Sequence, residues 1–290
     1  MNLPNFIKIN KSQITRAKKA IPPRDFTGAD YDRALGLKTD NLLLILSTPR
    51  SGSTFLSDQI YRHGICLPHE YFQPFQYIPI LADRWGCIIN DMLDNEDYIF
   101  SLKKWRTSSA GWLGINLHGE HLPIFKNFEK NFLNIKKSYI VLKRRDLIAQ
   151  SVSFEIAMQT ERWSSHFKDS NEPIYSFHEI KSRLEAIVYQ NIMIDAYINN
   201  LGIVANEIYY EDLIKNPIGE LAAIFPDFFN CNSEVISGLA KQSSGINNDW
   251  VERFSNEYFD TVGSGFEKPL PKFQKDLRRA VRKINNLMTQ

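Results

Sequence analysis

Arg50, Ser51, Gly52, Ser53 and Thr54 come directly after an apolar run, 42–47, and the pair Thr48-Pro49. A buried strand that ends in small, hydroxyl-bearing residues and opens a helix makes an anion site. Helix N-termini present unsatisfied N–H groups and a partial positive charge. Gly52 lets backbone approach a ligand, Ser51, Ser53 and Thr54 add hydroxyl donors, and Arg50 adds a fixed charge. The Gly-Lys-Ser/Thr of a nucleotide triphosphatase is missing, so the loop reads as phosphate-binding without that chemistry. A second cluster, His118-Gly119-Glu120-His121, tempts a metal reading. Its spacing is not His-Glu-x-x-His and nothing in the sequence supplies further ligands, so no metal is expected.

These residues need elements to hold them. "LLLILS" (42–47) has the length and continuity of a strand covered on both faces. After the turn, "STFLSDQIYRH" puts Phe55, Leu56, Gln59 and Ile60 near one helical face. The same grammar recurs in "SYIVLK" (138–143), which runs into the helical "LIAQSVSFEIAMQT" with Ile148, Val152, Ile156 and Met158 partly buried. "GWLGINLH" (111–118) predicts a third strand and "NEIYYEDL" (206–213) a short fourth. Leu184, Ile187, Val188, Asn191, Ile194, Tyr197 and Ile198 recur at helical spacing between them. Strands alternating with helices predict an α/β fold with a mainly parallel central sheet flanked by helices. Residues 1–40, with Lys8, Lys11, Arg16, Lys18, Lys19 and Arg24, read as a basic, polar N-terminal extension, and 41–290 as one domain.

Composition narrows the function classes. The chain has 290 residues, 43% hydrophobic and 12% aromatic, enough for a sizeable core. A formal net charge of +2 is too balanced to predict nucleic acid as a partner. Cys66, Cys87 and Cys231 are few, odd in number and widely spaced. They predict reduced thiols and a cytoplasmic location rather than a disulfide framework or zinc ribbon. No apolar stretch approaches the ~18–20 residues of a membrane span, and the start lacks a secretory hydrophobic block.

The pattern Pro-Arg-Ser-Gly-Ser-Thr resembles the 5′-phosphosulfate loop of sulfotransferases that use 3′-phosphoadenosine 5′-phosphosulfate (PAPS). More narrowly, the chain resembles the bacterial trehalose 2-sulfotransferase family, within the P-loop superfamily. "GICLPHEYF" (64–72) is similar to that family's Pro-x-Glu-Phe-Phe segment. "RRDLIAQSVSFEIAMQTERW" (144–163) is similar to its Arg-x-Asp-x-x-x-Gln-Ala-Val-Ser helix, and "NDWVERF" (248–254) to its late Trp-Val-x-Arg-Tyr. "YYEDLIKNP" (209–217) is closer to sulfotransferases at large. Trp163 and Trp250 also match family positions. The likeness covers roughly 40–255.

The resemblance implies roles. Arg50, Ser51, Gly52, Ser53 and Thr54 would hold the 5′-phosphosulfate, with Arg50 neutralising the leaving phosphate. Arg144 and Ser153 match the 3′-phosphate pair, but Arg145 stands at the spacing of the wider superfamily, so either arginine fits. Tyr210 would line the adenine site and Arg253 would lean on the donor from the last third of the chain. Glu70 matches the catalytic glutamate, and burial beside Tyr71 and Phe72 would raise its pKa as base work favours. His69 is the rival base. Its neighbour on an extended segment faces the other way, so one of the two serves. His118, at a strand's carboxyl end, would face the acceptor together with His69, and Asn116 stands where the family often has a lysine. Segments 73–110 and 164–182, with Phe75, Tyr77, Trp85 and Trp105, read as acceptor walls. The implied activity is sulfuryl transfer from PAPS to a carbohydrate or glycolipid hydroxyl, leaving 3′,5′-ADP, without a metal. The family includes dimers, which leaves a homodimer open. A P-loop kinase or NTPase and a non-catalytic nucleotide-binding relative are the competing readings.

Overall fold

The computed structural model describes residues 7–33, 38–163, 172–229 and 245–263. The elements run α1 (Lys11–Ala20), β1 (Asn41–Ser47), α2 (Ser53–Arg62), α3 (Tyr77–Trp85), β2 (Ile88–Ile89), β3 (Met92–Leu93), α4 (Asn95–Arg106) and β4 (Trp112–His118). Then come α5 (Leu122–Lys126), β5 (Lys136–Lys143), α6 (Leu147–Thr160), α7 (Phe177–Leu201), β6 (Asn206–Tyr209), α8 (Tyr210–Leu213), α9 (Pro217–Ile224) and α10 (Gly245–Gly263).

Four strands form one parallel sheet in the order β4-β1-β5-β6, while β2 and β3 make a separate small hairpin. β1 is central, and its alternating side chains divide between two cores. Leu42, Leu44 and Leu46 join a large core with Phe72, Leu113, Ile115, Phe125, Phe128 and Ile194. Leu43 and Ile45 join Leu56, Ile60, Ile140, Leu142, Ile208 and Leu221 on the other face. All five are fully buried, which is why the run reads apolar without alternation.

This division fixes where a ligand site forms. The helix after β1 packs on one face through Leu56 and Ile60, and the helix after β4 packs on the other through Leu122 and Phe125. Adjacent parallel strands whose connections leave to opposite faces open a crevice at their carboxyl ends. Here the crevice lies beyond the paired residues Ser47 and His118.

A third segment borders β4 on its outer edge. His69 makes a parallel bridge to Ile115, and the Asn116 N–H donates to the His69 carbonyl at 2.9 Å. Gly114 permits this approach: a Cβ there would lie 2.7 Å from Cys66 Sγ and 2.8 Å from Pro68 Cγ. Register then carries Glu70 to the same strand end as His118.

The N-terminal segment packs on this side. Ile9 enters the large core, and Ala17 and Ile21 of the α1 region pack against Tyr77 and Ile80 of α3. The buried Arg106 guanidinium donates to the carbonyls of Tyr31 and Phe26 and pairs with Asp32 at 3.2 Å.

Some expectations differ from the fold. Of "NEIYYEDL" only 206–209 is strand, and Tyr210 starts α8. Met158 is exposed on α6. Segment 73–110, read for its irregularity and aromatic content as an acceptor wall, carries α3, the hairpin and α4; Pro79 is accommodated in the first turn of α3, where no intrahelical N–H bond is lost. Tyr77 is buried within it, whereas Phe75 is exposed. Residues 164–171 and Cys231 lie outside the described residues; Cys66 and Cys87 are buried free thiols. No helix among the described residues is long and apolar enough to cross a membrane.

Candidate active site

The loop after β1 is held from three sides. Arg50 (φ 62°) and Gly52 (φ 94°) both adopt left-handed backbone, with Ser51 between them. For a non-glycine residue that conformation costs about 1 kcal/mol, so surrounding contacts must hold Arg50 there. Gln150 of α6 supplies two: its Nε2 donates to Thr48 Oγ1 at 2.8 Å and to the Pro49 carbonyl at 2.7 Å. Arg50 Nε donates to Ser153 Oγ at 3.0 Å, one turn along α6, and its Nη1 donates to the Trp163 carbonyl. The Tyr210 ring covers Gly52 so closely that any Cβ would enter it. Ser53 is buried in the first turn of α2, where the helix's free N–H groups lie.

The two adjacent arginines separate cleanly. Arg144 turns toward the loop: Nη1 donates to the Arg50 carbonyl at 3.4 Å, the guanidinium lies 4.9 Å from the Tyr210 ring centre, and Glu211 is 4.0 Å away. Arg145 turns outward, half-exposed and paired with Asp212. Arg50, Arg144, Ser153 and Tyr210 thus share one cradle with the loop, and Arg145 is outside it.

The cradle is strongly positive. Arg50 is pushed down to about 10, first by burial and then by the Arg144 charge, with Arg162 adding to it. Ser51 Oγ and Arg144 Nε are buried with no hydrogen-bond partner among the described residues. A guanidinium cluster with unsatisfied buried donors fits an anionic phosphate or phosphosulfate.

The acid–base groups stand across the crevice. Glu70 Oε1 lies 3.6 Å from His118 Nε2. Burial, with Asp25 adding repulsion, raises the Glu70 carboxyl to about 8. Burial lowers His118 to about 4. At neutral pH the proton therefore sits on Glu70 and His118 is uncharged, so the two are not an ion pair. His69 faces elsewhere, its ring packed edge-on against Phe26, Tyr71 and Tyr77 at 4.3–5.7 Å. Asn116 is buried and accepts from the Ser47 hydroxyl at 2.8 Å, tying β4 to β1.

His121 is a residue that the sequence did not bring to this site. A short turn, Gly119–His121, stacks its ring on His118 with centroids 5.3 Å apart. Glu70, His118 and His121 each offer a ligand atom, all within 4.8 Å of one another. The missing third ligand of the His-x-x-His reading comes from a segment some fifty residues earlier in the chain, which spacing cannot reveal. Gln150 and Arg162 were also missed, although Gln150 is the glutamine of the quoted helix motif.

Arg253 does not point to the loop through its visible contacts. It lies over the Tyr175 ring at 3.8 Å and pairs with Glu257 on its own helix. Trp250 belongs to the core joining α6, α7 and α10, and Trp163 offers its carbonyl to Arg50 while its ring tilts against Phe154.

A solved structure, the sulfotransferase domain from the Synechococcus PCC 7002 olefin synthase, is similar at 15% identity and a TM-score of 0.44, covering 83% of this chain and 99% of that one. No curated protein matches. Residues 116–257, just under half of the chain, match the Stf0 sulphotransferase family, a stretch that contains Arg144, Ser153 and Tyr210 but neither the loop nor Glu70.

Proposed function

We propose that the protein is a sulfotransferase that moves a sulfuryl group from PAPS to a hydroxyl of a carbohydrate or glycolipid acceptor. The observation that carries this reading is the half-buried cradle of Arg50, Arg144, Ser153 and Tyr210, together with a perturbed carboxyl at Glu70. The family match supports it from 116–257, the stretch that supplies Arg144, Ser153 and Tyr210, while Arg50 and Glu70 come from outside that stretch.

When bound, PAPS supplies an activated sulfuryl group and leaves as 3′,5′-ADP. The loop N–H groups and Arg50 bind the 5′ side and neutralise charge that develops on the leaving phosphate. Arg144 and Ser153 bind the 3′-phosphate, the guanidinium by its planar fork and the hydroxyl as a lateral donor. Tyr210 stacks under Arg144 and closes the adenine side. Glu70, in its ionised form, takes the proton of the acceptor hydroxyl, with the neutral His118 ring 3.6 Å from that carboxyl. Transfer of this kind passes through a loose transition state in which positioning and electrostatics dominate, as in phosphoryl transfer.

The test is a thermal-shift comparison of 3′,5′-ADP with ATP plus Mg²⁺. Ligand at a hundred times Kd adds about 2.7 kcal/mol of stability. Stabilisation by 3′,5′-ADP is expected; stabilisation by ATP–Mg²⁺ alone would return the chain to the kinase or NTPase class. If 3′,5′-ADP binds but labelled PAPS passes nothing to any glycan of a broad panel, the chain is a non-catalytic relative.

A further inference from the structure

Glu70, His118 and His121 gather donors that sulfuryl transfer does not need in that number. Transfer requires one base, yet two imidazoles and one carboxylate converge with ligand atoms within 4.8 Å. Both imidazoles are buried, and His118 Nε2 and His121 Nδ1 have no hydrogen-bond partner among the described residues. Ligand atoms around a tetrahedral zinc-class ion stand ~3.3–3.4 Å apart, given bonds of ~2.0–2.1 Å. Glu70 Oε1 and His118 Nε2, at 3.6 Å, are already close to that separation. The geometry points to a binding site for a zinc-class divalent cation on Glu70, His118 and His121, at which an ion inhibits transfer by engaging the Glu70 carboxylate.

The supports are rigid. Glu70 follows the bridge between His69 and Ile115, and His118 ends β4. The turn that carries His121 is pinned to α7, because Gly119 packs where a Cβ would lie 2.6 Å from the Gln190 carbonyl oxygen. Glu120 Oε1 lies 3.9 Å from His121 Nε2, beyond hydrogen-bond length. Two nitrogens and one oxygen select zinc, cobalt or copper over magnesium or calcium, which take oxygen ligands. Three protein ligands leave a fourth position open toward a water or an acceptor hydroxyl. An ion coordinated by Glu70 occupies the lone pair that would take the acceptor's proton. The inhibition rests on Glu70 as the base of the proposed transfer; the binding does not.

The experiment titrates the full chain with Co²⁺ in the absence of any donor or acceptor and follows visible absorbance. Binding of one Co²⁺, displaced by Zn²⁺ but not by Mg²⁺, is expected. In His118→Gln and His121→Gln the apparent affinity should fall about a hundred-fold or more, since even outer partners of metal ligands are worth 10–100-fold. Should either variant fail to fold, pulsed electron paramagnetic resonance of the unmutated protein with Cu²⁺ answers the same question by counting coordinated imidazoles, with two expected. Cobalt affinity unchanged in both folded variants, or no coordinated imidazole, would overturn the site. Transfer assays with Zn²⁺ and a chelator then test the consequence. Inhibition at the binding concentration, reversed by chelator, is expected, and activation by Zn²⁺ would overturn the inhibitory role. Cobalt bound through the triad by a protein that transfers nothing would keep the site and remove the proposed function; robust transfer without metal binding would do the opposite.

Discussion

Glu70 and Arg144 are where single residues decide the chemistry. A carboxyl raised to about 8 is about nine-tenths protonated at pH 7. If it is the base, kcat/KM rises with pH and levels off above about 8, and Glu70→Gln removes both the limb and the activity; a flat profile in the unmutated protein would place the base elsewhere. The same shift bears on stability. A carboxyl raised in the folded state is favoured there while protonated, so its stability is fully present below the ordinary value of 4.5 and is lost progressively as pH rises from there through about 8. Glu70→Gln should flatten that loss, which denaturant titrations at pH 5 and pH 8.5 would measure. His118 works in the opposite direction: lowered to about 4, it contributes stability above its ordinary value that is lost as pH falls toward 4. Arg144→Ala is expected to weaken 3′,5′-ADP at least ten-fold while AMP changes little, and Arg145→Ala to change both by less than two-fold. Isothermal titration decides, and equal weakening of both ligands by Arg144→Ala would remove it from the 3′-phosphate. The sequence alone left Arg144 and Arg145 level, because both end the same strand and the difference lies in which way each faces. Only the packing of Tyr210 and Asp212 separates them.

Elements set the distances between those residues, and this level was largely legible. β1 and the end of β5 follow from apolar runs, β4 from a run broken by Gly114 and Asn116, and α2, α6 and α7 from helical spacing. The loop 47–54 was recognisable as an anion site because strand end, glycine and hydroxyls lie together in sequence. The edge segment 66–70 was not legible as a strand neighbour: it pairs through a single bridge, and the only trace is a glycine in the middle of β4. Gly114→Ala tests that account. The added methyl meets Cys66 and Pro68 in a closed region, and overpacking of this sort costs about 1–3 kcal/mol. Because the segment that yields carries Glu70, transfer should fall far more than 3′,5′-ADP affinity, which depends on the other side of β1. A variant that loses stability while keeping full kcat would show that the segment does not position the base.

Across the whole molecule, the N-terminal segment is part of the site's electrostatics. Asp25 adds to the rise of Glu70, the Tyr77 hydroxyl donates to Asp25 at 2.7 Å, and the Phe26 ring packs on His69. Charge counting in the sequence drew attention to the basic residues of this region. The influential residue is an acid held in place by burial, which composition does not reveal. Arg106 fastens the segment from α4, with its side chain wholly buried between two carbonyls and Asp32. Removing one partner of a buried ion pair costs about 3–5 kcal/mol, since the remaining groups are left without compensation. Asp32 keeps Arg84 at 2.7 Å, so Arg106→Ala should fall at the lower end of that range. The same substitution loosens the chain around Asp25, and with that repulsion weakened the Glu70 limb should move to lower pH. Asp25→Asn removes the charge while leaving Arg106 in place, so it should move the limb the same way with a smaller loss of stability. A limb that stays put in both variants would mean that burial alone sets the Glu70 carboxyl and that the N-terminal segment serves only packing.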